Sequence, residues 1–354
     1  HVLCAFQTKH REICKQHPVK KKCIIGTDPY HQPKGKCKAL PEGNSSCQLR
    51  TYSQDCGKQA SVVLPTRFPD FLEWIPGADQ VVLFEKEPDL AKQLIDEAEV
   101  ICCLDISELS RMDPSMAEAV EKASAEKWQI DHHLNPSGFA KLAMSFPEMS
   151  STCELVFRFI YELGGYNQIS LEAAQAIYAG MCTDTGGFTY NSTRPEVYQI
   201  IGMLLEKGID KDKIYRQIYN NSTYDKVRLQ GYVLNEKLVY FEPLRACLFT
   251  LTREEQQRYH FQKGDAEGLV NIPLTIKGVR LSCSLREDPE EEGKILVSLR
   301  SVDDFPCNIM SQMFFNGGGH LNAAGGRLYC SMEEAVSIFK QALIQFESQL
   351  LGQK

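Results

Sequence analysis

Short apolar runs alternate with stretches of helical spacing from about residue 57 onward. Residues 61–64, 81–84, 100–104 and 128–130 read as β-strands, and residues 88–97 and 114–125, each opened by proline, read as the helices that cross between them. Alternation of this kind predicts an α/β layer built on a parallel sheet. A stretch rich in Lys, Tyr and Asn at 211–236 reads as a helical linker. Beyond it, 244–251, 279–285 and 295–299 read as strands, and 332–350 as a closing amphipathic helix. The pattern therefore predicts a first α/β domain over 57–210 and a second, smaller one over 237–354, with a site in the cleft between them. Residues 1–56 have a different texture, with many Lys, Gln and His and no sustained periodicity apart from Cys23-Ile24-Ile25.

The longest apolar runs fall far short of the roughly 20 residues that span a bilayer, and no apolar leader follows the first residue, so the reading is a cytoplasmic protein without a membrane partner. The 14 cysteines include no C-x-x-C pair. Several lie inside strand-like runs, which favours buried thiols over a disulfide framework or a structural zinc site. A net charge of −7 argues against coating of long nucleic acid and leaves room for a small phosphorylated substrate.

Polar residues at the ends of the apolar runs carry the candidate chemistry. Asp105 ends the run 100–104, Asp131-His132-His133 closes the strand at 128–130, and Asp184 follows an apolar helix over 171–182 and leads into Thr185-Gly186-Gly187. The carboxyl ends of parallel strands are where α/β sheets present ligands, and carboxylate beside imidazole suits Mn or a similar divalent ion. Taken singly, each aspartate reads equally well as a helix cap or a turn residue. Ser151-Thr152-Cys153-Glu154 fits a capping box that opens a helix. In the second region, Gly317-Gly318-Gly319-His320, followed by Ala323-Ala324-Gly325-Gly326 and flanked by Arg300-Ser301, suits close approach to an anion; a glycine-rich hinge is the alternative.

Together and in this order, Asp105, Asp131-His132-His133, Asp184-Thr185-Gly186 and Gly317-Gly318-Gly319-His320 resemble the motifs of the DHH/DHHA1 phosphoesterases. Within that family, Glu267-Gly268-Leu269-Val270-Asn271 and Arg300-Ser301 resemble the bacterial enzymes that degrade very short RNA and dephosphorylate 3′-phosphoadenosine 5′-phosphate (pAp). The resemblance implies two Mn ions, with Asp105 shared between them and His132 and Asp184 on the second. It implies that His133 faces the substrate phosphate, that Asp131 orients a histidine, and that Arg300, Ser301, Gly317, Gly318, Gly319 and His320 bind the rest of the substrate. Implied substrates are short RNA oligonucleotides, pAp or linear dinucleotides, and a homodimer is compatible with the family. The rival readings are a non-catalytic nucleotide-binding relative and a cyclic-dinucleotide phosphodiesterase.

One motif is missing. The family's H-x-x-P-D-x-D should follow the first strand, but after Ile24-Ile25 the chain reads Thr27-Asp28-Pro29-Tyr30-His31-Gln32-Pro33-Lys34-Gly35-Lys36. Aligned on Pro33, both aspartates are lysines and His31 stands one place too close to the proline. Either the motif has degenerated or residues 26–56 reflect a shifted reading frame. On both accounts the second-ion site is the better retained.

Overall fold

The computed structural model describes residues 21–26, 46, 49–50, 53, 59–133, 136–262, 264–266 and 268–352. The segment Thr27 to Lys36, where the missing motif belongs, lies outside the described residues. The chain divides into two compact units, one ending at Asn221 and one beginning at Ser222. This division falls inside the stretch expected to be a linker. Among the described residues no helix is long and apolar enough to cross a membrane.

The first unit carries a six-stranded sheet whose strands are β1 (Lys21–Gly26), β2 (Gln59–Leu64), β3 (Val82–Leu83), β4 (Val100–Leu104), β5 (Glu126–Asp131) and β6 (Leu142–Ser145), in the order β3-β2-β1-β4-β5-β6. Every pairing is parallel. All five residues of β4 are buried, as expected of a strand covered on both faces. Its side chains divide by the two-residue period: Val100, Cys102 and Leu104 join one core, Ile101 and Cys103 the other. The second of these cores is closed by α1 (Pro88–Asp96) and α2 (Pro114–Lys122), through Ala91, Ile95, Met116 and Val120. The first is closed by α3 (Thr152–Glu162), α4 (Leu171–Asp184) and α5 (Pro195–Glu206), through Phe157, Ile160, Ile177, Ile200 and Leu204. A further helix, α6 (Lys211–Tyr219), packs on α4.

β1 occupies the middle of this sheet, although it comes from the stretch that sequence texture sets apart. Residues 22–26 pair with Val100 to Leu104 on one side, and 21–25 pair with Gln59 to Val63 on the other. Strand order reverses there, so the carboxyl ends of β1 and β4 flank the position at which such sheets bind ligands.

In the second unit, α7 (Tyr224–Tyr232) leads to β7 (Val239–Phe241), β8 (Ala246–Leu251), α8 (Arg253–Arg258), β9 (Leu281–Glu287) and β10 (Lys294–Ser301). They are followed by α9 (Cys307–Phe314), β11 (Gly318–His320), β12 (Ala323–Tyr329), α10 (Met332–Gln345) and α11 (Glu347–Leu351). The sheet order is β11-β12-β10-β9-β8-β7, antiparallel except for β8 beside β9. α10 buries Ala335, Phe339, Ala342 and Leu343 against one core, so the expected closing helix is present, ending at Gln345 and followed by the short α11.

The glycine-rich motif forms strands rather than an open loop. β11 and β12 make a hairpin joined by Leu321-Asn322, packed against the end of α9. A Cβ on Gly317 would lie 1.9 Å from the Gly325 carbonyl oxygen and 2.4 Å from Ser311 Oγ, whereas one on Gly325 would meet nothing closer than the Val297 carbonyl at 3.4 Å. Gly317→Ala should therefore lower stability in urea unfolding by about 1–3 kcal/mol or more, the cost of overpacking, while Gly325→Ala costs much less. Equal losses for the two variants would contradict this packing account.

Candidate metal centre

Asp105 directly follows β4, and its backbone turns into the left-handed region (φ 61°), held by its N–H donating to the Ile130 carbonyl at 2.9 Å. Aspartate tolerates this conformation better than most residues, and a departure of this kind is a common feature of ligand sites. On the neighbouring strand, Asp131 ends β5 and His132 and His133 follow it, so the sheet brings residues 26 positions apart in sequence to one edge. Asp184 reaches the same place as the last residue of α4.

One ligand atom from each of Asp105, His132 and His133, a carboxylate oxygen and two ring nitrogens, lies within 4.8 Å of the others. His132 Nε2 is 3.7 Å from Asp105 Oδ1 and 3.8 Å from Asp184 Oδ2. These spacings exceed a hydrogen bond and match two ligand atoms each about 2.0–2.2 Å from a shared cation. His132 Nδ1 lies 3.2 Å from the Met149 carbonyl, which favours a proton on Nδ1 and leaves Nε2 as the ligating atom. The donor set, two carboxylates with a neutral imidazole, therefore fits a divalent ion.

His133 is bound differently. Its Nδ1 lies 2.7 Å from Asp131 Oδ1 and 3.2 Å from Asp105 Oδ1, and its backbone N–H donates to Asp131 Oδ1 at 3.1 Å. Burial opposes a charge on this ring, but the Asp105 and Asp131 carboxylates outweigh it and push its pKa up to about 10. Burial also opposes the charge of Asp105, yet His133, with help from His132, holds that carboxyl well below the usual range. Asp131 holds the ring in place through Nδ1 and through the His133 backbone N–H.

The sequence pattern identified Asp105, Asp131, His132, His133 and Asp184, and all five meet at this edge. It reads the segment that supports them as a helix start, whose exposed N–H groups can also face a phosphate. Ser151 caps α3 by accepting the Glu154 N–H at 3.0 Å, but the Glu154 carboxylate does not return to the cap as a capping box requires. It accepts instead from the Ser150 N–H at 2.8 Å, from the Ser150 hydroxyl at 2.7 Å and from Arg158 and Arg194, and it is fully buried. Thr152 donates its hydroxyl proton to Asp105 Oδ1 at 3.0 Å. The run of three hydroxyl residues at 150–152, more than a cap needs, was the available signal.

After Asp184 the chain turns through three left-handed residues, Gly186, Gly187 and Phe188. A Cβ on Gly186 would come within 2.2 Å of the Tyr190 ring, so this glycine is required by the chain's own packing.

Arg300 and His320 belong to the second unit. The register pairs Arg300 with Ala323 across β10 and β12, and His320 with the same Ala323 across β11 and β12, which sets the two on one row at the end of the sheet. Ser301 is buried, its hydroxyl donating to the Phe305 carbonyl at 2.8 Å and accepting from Asn322 Nδ2 at 3.0 Å, so it ties the end of β10 to the hairpin turn. Gly318 and Gly319 lie on β11. Cys182, Cys247 and Cys283 are buried thiols, in keeping with a reduced interior.

Comparison with known proteins gives a consistent picture. Residues 43–181 match the family described as "DHH family, N-terminal domain". The MG371 homolog of Mycoplasma pneumoniae is 31% identical over 205 residues, 57% of this chain and 59% of that protein, so the chain spans about three fifths of this relative's length. The bifunctional oligoribonuclease and PAP phosphatase NrnA of Bacillus subtilis is 24% identical over 288 residues, covering 80% of this chain and 87% of the relative. Among solved structures, an exopolyphosphatase-related protein from Bacteroides fragilis superposes with a TM-score of 0.89 at 46% identity, covering 96% of this chain and 97% of that one.

Proposed function

This chain belongs to the DHH family, and from that membership we propose that it is a Mn-dependent phosphoesterase acting on the terminal phosphate esters of short oligoribonucleotides and of pAp. The observation that carries the reading is the convergence of Asp105, His132 and His133, with Asp184 beside them, at the carboxyl edge of a parallel sheet where strand order reverses. The name of the B. subtilis relative supports the substrate class.

Asp105, His132 and Asp184 would hold metal. Bound metal would lower the pKa of a water and neutralise charge on the attacking and leaving oxygens. His133, held in place by Asp131 through Nδ1, would face a phosphate oxygen and interact with its charge as it builds. The nucleoside portion of the substrate falls to Arg300, to the β11–β12 hairpin with Gly317, Gly318 and Gly319, and to His320, with Ser301 fixing the hairpin to the end of β10.

Activity is reduced in the chain as it stands, because the motif that supplies a second set of metal ligands is not matched at residues 27–36. The test is release of mononucleotide from the linear dinucleotide pApA, and of phosphate from pAp, with and without Mn(II), followed by chromatography. The expected result is slow, Mn-dependent turnover that linear dinucleotides inhibit by competition. Mn-independent turnover overturns the metal reading. Preference for a cyclic over a linear dinucleotide transfers the protein to the cyclic-dinucleotide phosphodiesterases, and tight binding of pApA without turnover in any metal favours a nucleotide-binding relative.

A further inference from the structure

Among the described residues, three groups lie close to one oxygen of Asp105. Oδ1 is 3.2 Å from His133 Nδ1, 3.7 Å from His132 Nε2 and 3.0 Å from Thr152 Oγ1, whose proton it accepts. The two histidines are accounted for above. We propose that Thr152 is a positioning residue for metal capture: its hydroxyl fixes the plane of the Asp105 carboxylate in the orientation that ligates, before the ion arrives. The proposal rests on the metal-dependent reading of the site.

The torsion that sets a carboxylate's plane is broad and two-fold, so an aspartate whose oxygens must face an incoming ion needs an external donor to select one plane. The main chain of Asp105 is already fixed by its hydrogen bond to Ile130, which leaves the orientation of the carboxylate to the side chain's own partners. His133 divides its Nδ1 between the two carboxylates and lies closer to Asp131, at 2.7 Å, than to Asp105, at 3.2 Å, so it sets the Asp105 plane less firmly. Thr152 approaches from another element, the start of α3.

Threonine suits this task at this position. Inside a helix its hydroxyl commonly bonds the carbonyl one turn back, but Thr152 is the first helical residue and no helical carbonyl lies behind it. Its branched Cβ leaves few rotamers, so the direction of the hydroxyl is set by packing rather than on ligand binding. Both Thr152 and Asp105 are buried, at 0% and 2% exposure, so bulk water does not readily supply a substitute donor. The start of α3 is itself pinned by Ser150 and Glu154.

Threonine-to-valine and threonine-to-serine replacements separate positioning from packing, because they predict opposite orders. Thr152→Val keeps the shape and removes the hydroxyl; Thr152→Ser keeps the hydroxyl and removes a methyl. Mn(II) binding is followed by loss of the free-ion electron paramagnetic resonance signal, without substrate, alongside thermal melts of the metal-free proteins. Positioning predicts that Thr152→Val weakens Mn(II) binding by about 10–100-fold, as loss of a group that orients a ligand does elsewhere, while Thr152→Ser stays close to the parent. If Thr152→Val lacks the parent's cooperative melt, Thr152→Ala takes its place with the same expected weakening. A valine variant that binds Mn(II) like the parent overturns the proposal, as does a serine variant as weak as the valine one. A parent chain that takes up no Mn(II) at millimolar concentration overturns the metal reading itself, so the two failures are distinguishable.

Discussion

Placing H-x-x-P-D-x-D on residues 30–36, through Tyr30→His, Lys34→Asp and Lys36→Asp, is expected to raise Mn-dependent hydrolysis of pApA by several orders of magnitude. The sheet supplies the reason. Gly26 at the end of β1 pairs with Leu104, the residue before Asp105, so the segment leaving β1 begins beside the ligands already assembled. A second set of ligands there would add a second ion sharing Asp105, and a two-ion clamp acts on both the attacking and the leaving oxygen. Each 1.36 kcal/mol of transition-state stabilisation is about tenfold in rate, so several kcal/mol amount to several orders of magnitude. The change also replaces two lysines of the motif by carboxylates, and a carboxylate attracts a divalent cation where an ammonium repels it. Bound Mn(II) per chain should rise towards two, and Asp105→Asn in the same background should abolish the gain; asparagine, like aspartate, tolerates a positive φ, so this change tests the ligand rather than the backbone. An unmodified chain that already turns over pApA as fast as the altered one would sink this argument and require other residues to complete the centre.

Glu154→Ala is expected to destabilise the first unit by about 3–5 kcal/mol, the range for removing one member of a buried ionic cluster. The carboxylate is fully buried and receives Arg158, Arg194 and both donors of Ser150, while Arg158 is 12% exposed and so has little access to water as a replacement partner. Burial opposes the charge of Glu154, but hydrogen bonds from Ser150 and the guanidinium of Arg158 prevail and lower its pKa. A midpoint shift in urea for Glu154→Ala that matches an exposed control such as Glu118→Ala would show that the cluster contributes nothing net. The same change should loosen the Met149 carbonyl that orients His132, since Ser150 is the next residue.

Most of the first sheet is legible from the sequence because its strands are continuous apolar runs covered on both faces, and residues 100–104 are the clearest case. Asp105, Asp131, His132 and His133 are legible for a related reason, since they interrupt those runs where parallel strands end, and Asp184 because it closes an apolar helix. β1 is harder to recognise, as it opens with Lys21-Lys22 and no regular helical pattern follows it in the sequence. The β11–β12 hairpin is hidden because glycine and alanine carry little strand signal, and tight backbone packing explains Gly317 without any ligand. Glu154 and Thr152 are hidden by a local rule that they partly obey: Ser-Thr-Cys-Glu spells a helix start, and only the tertiary structure reveals that the carboxylate turns to Ser150 and two arginines and the threonine hydroxyl to Asp105.

β1 has a consequence for how this protein can be assembled and altered. Among the described residues, the pair β2–β3 and the trio β4–β5–β6 are joined edge to edge by β1 alone, so a strand that precedes both groups in the chain is the keystone of the sheet. Its partners are about 40 and 80 residues downstream, and pairings so distant in sequence slow the closure of a sheet. A change within β1 therefore disturbs two sets of strand pairings at once.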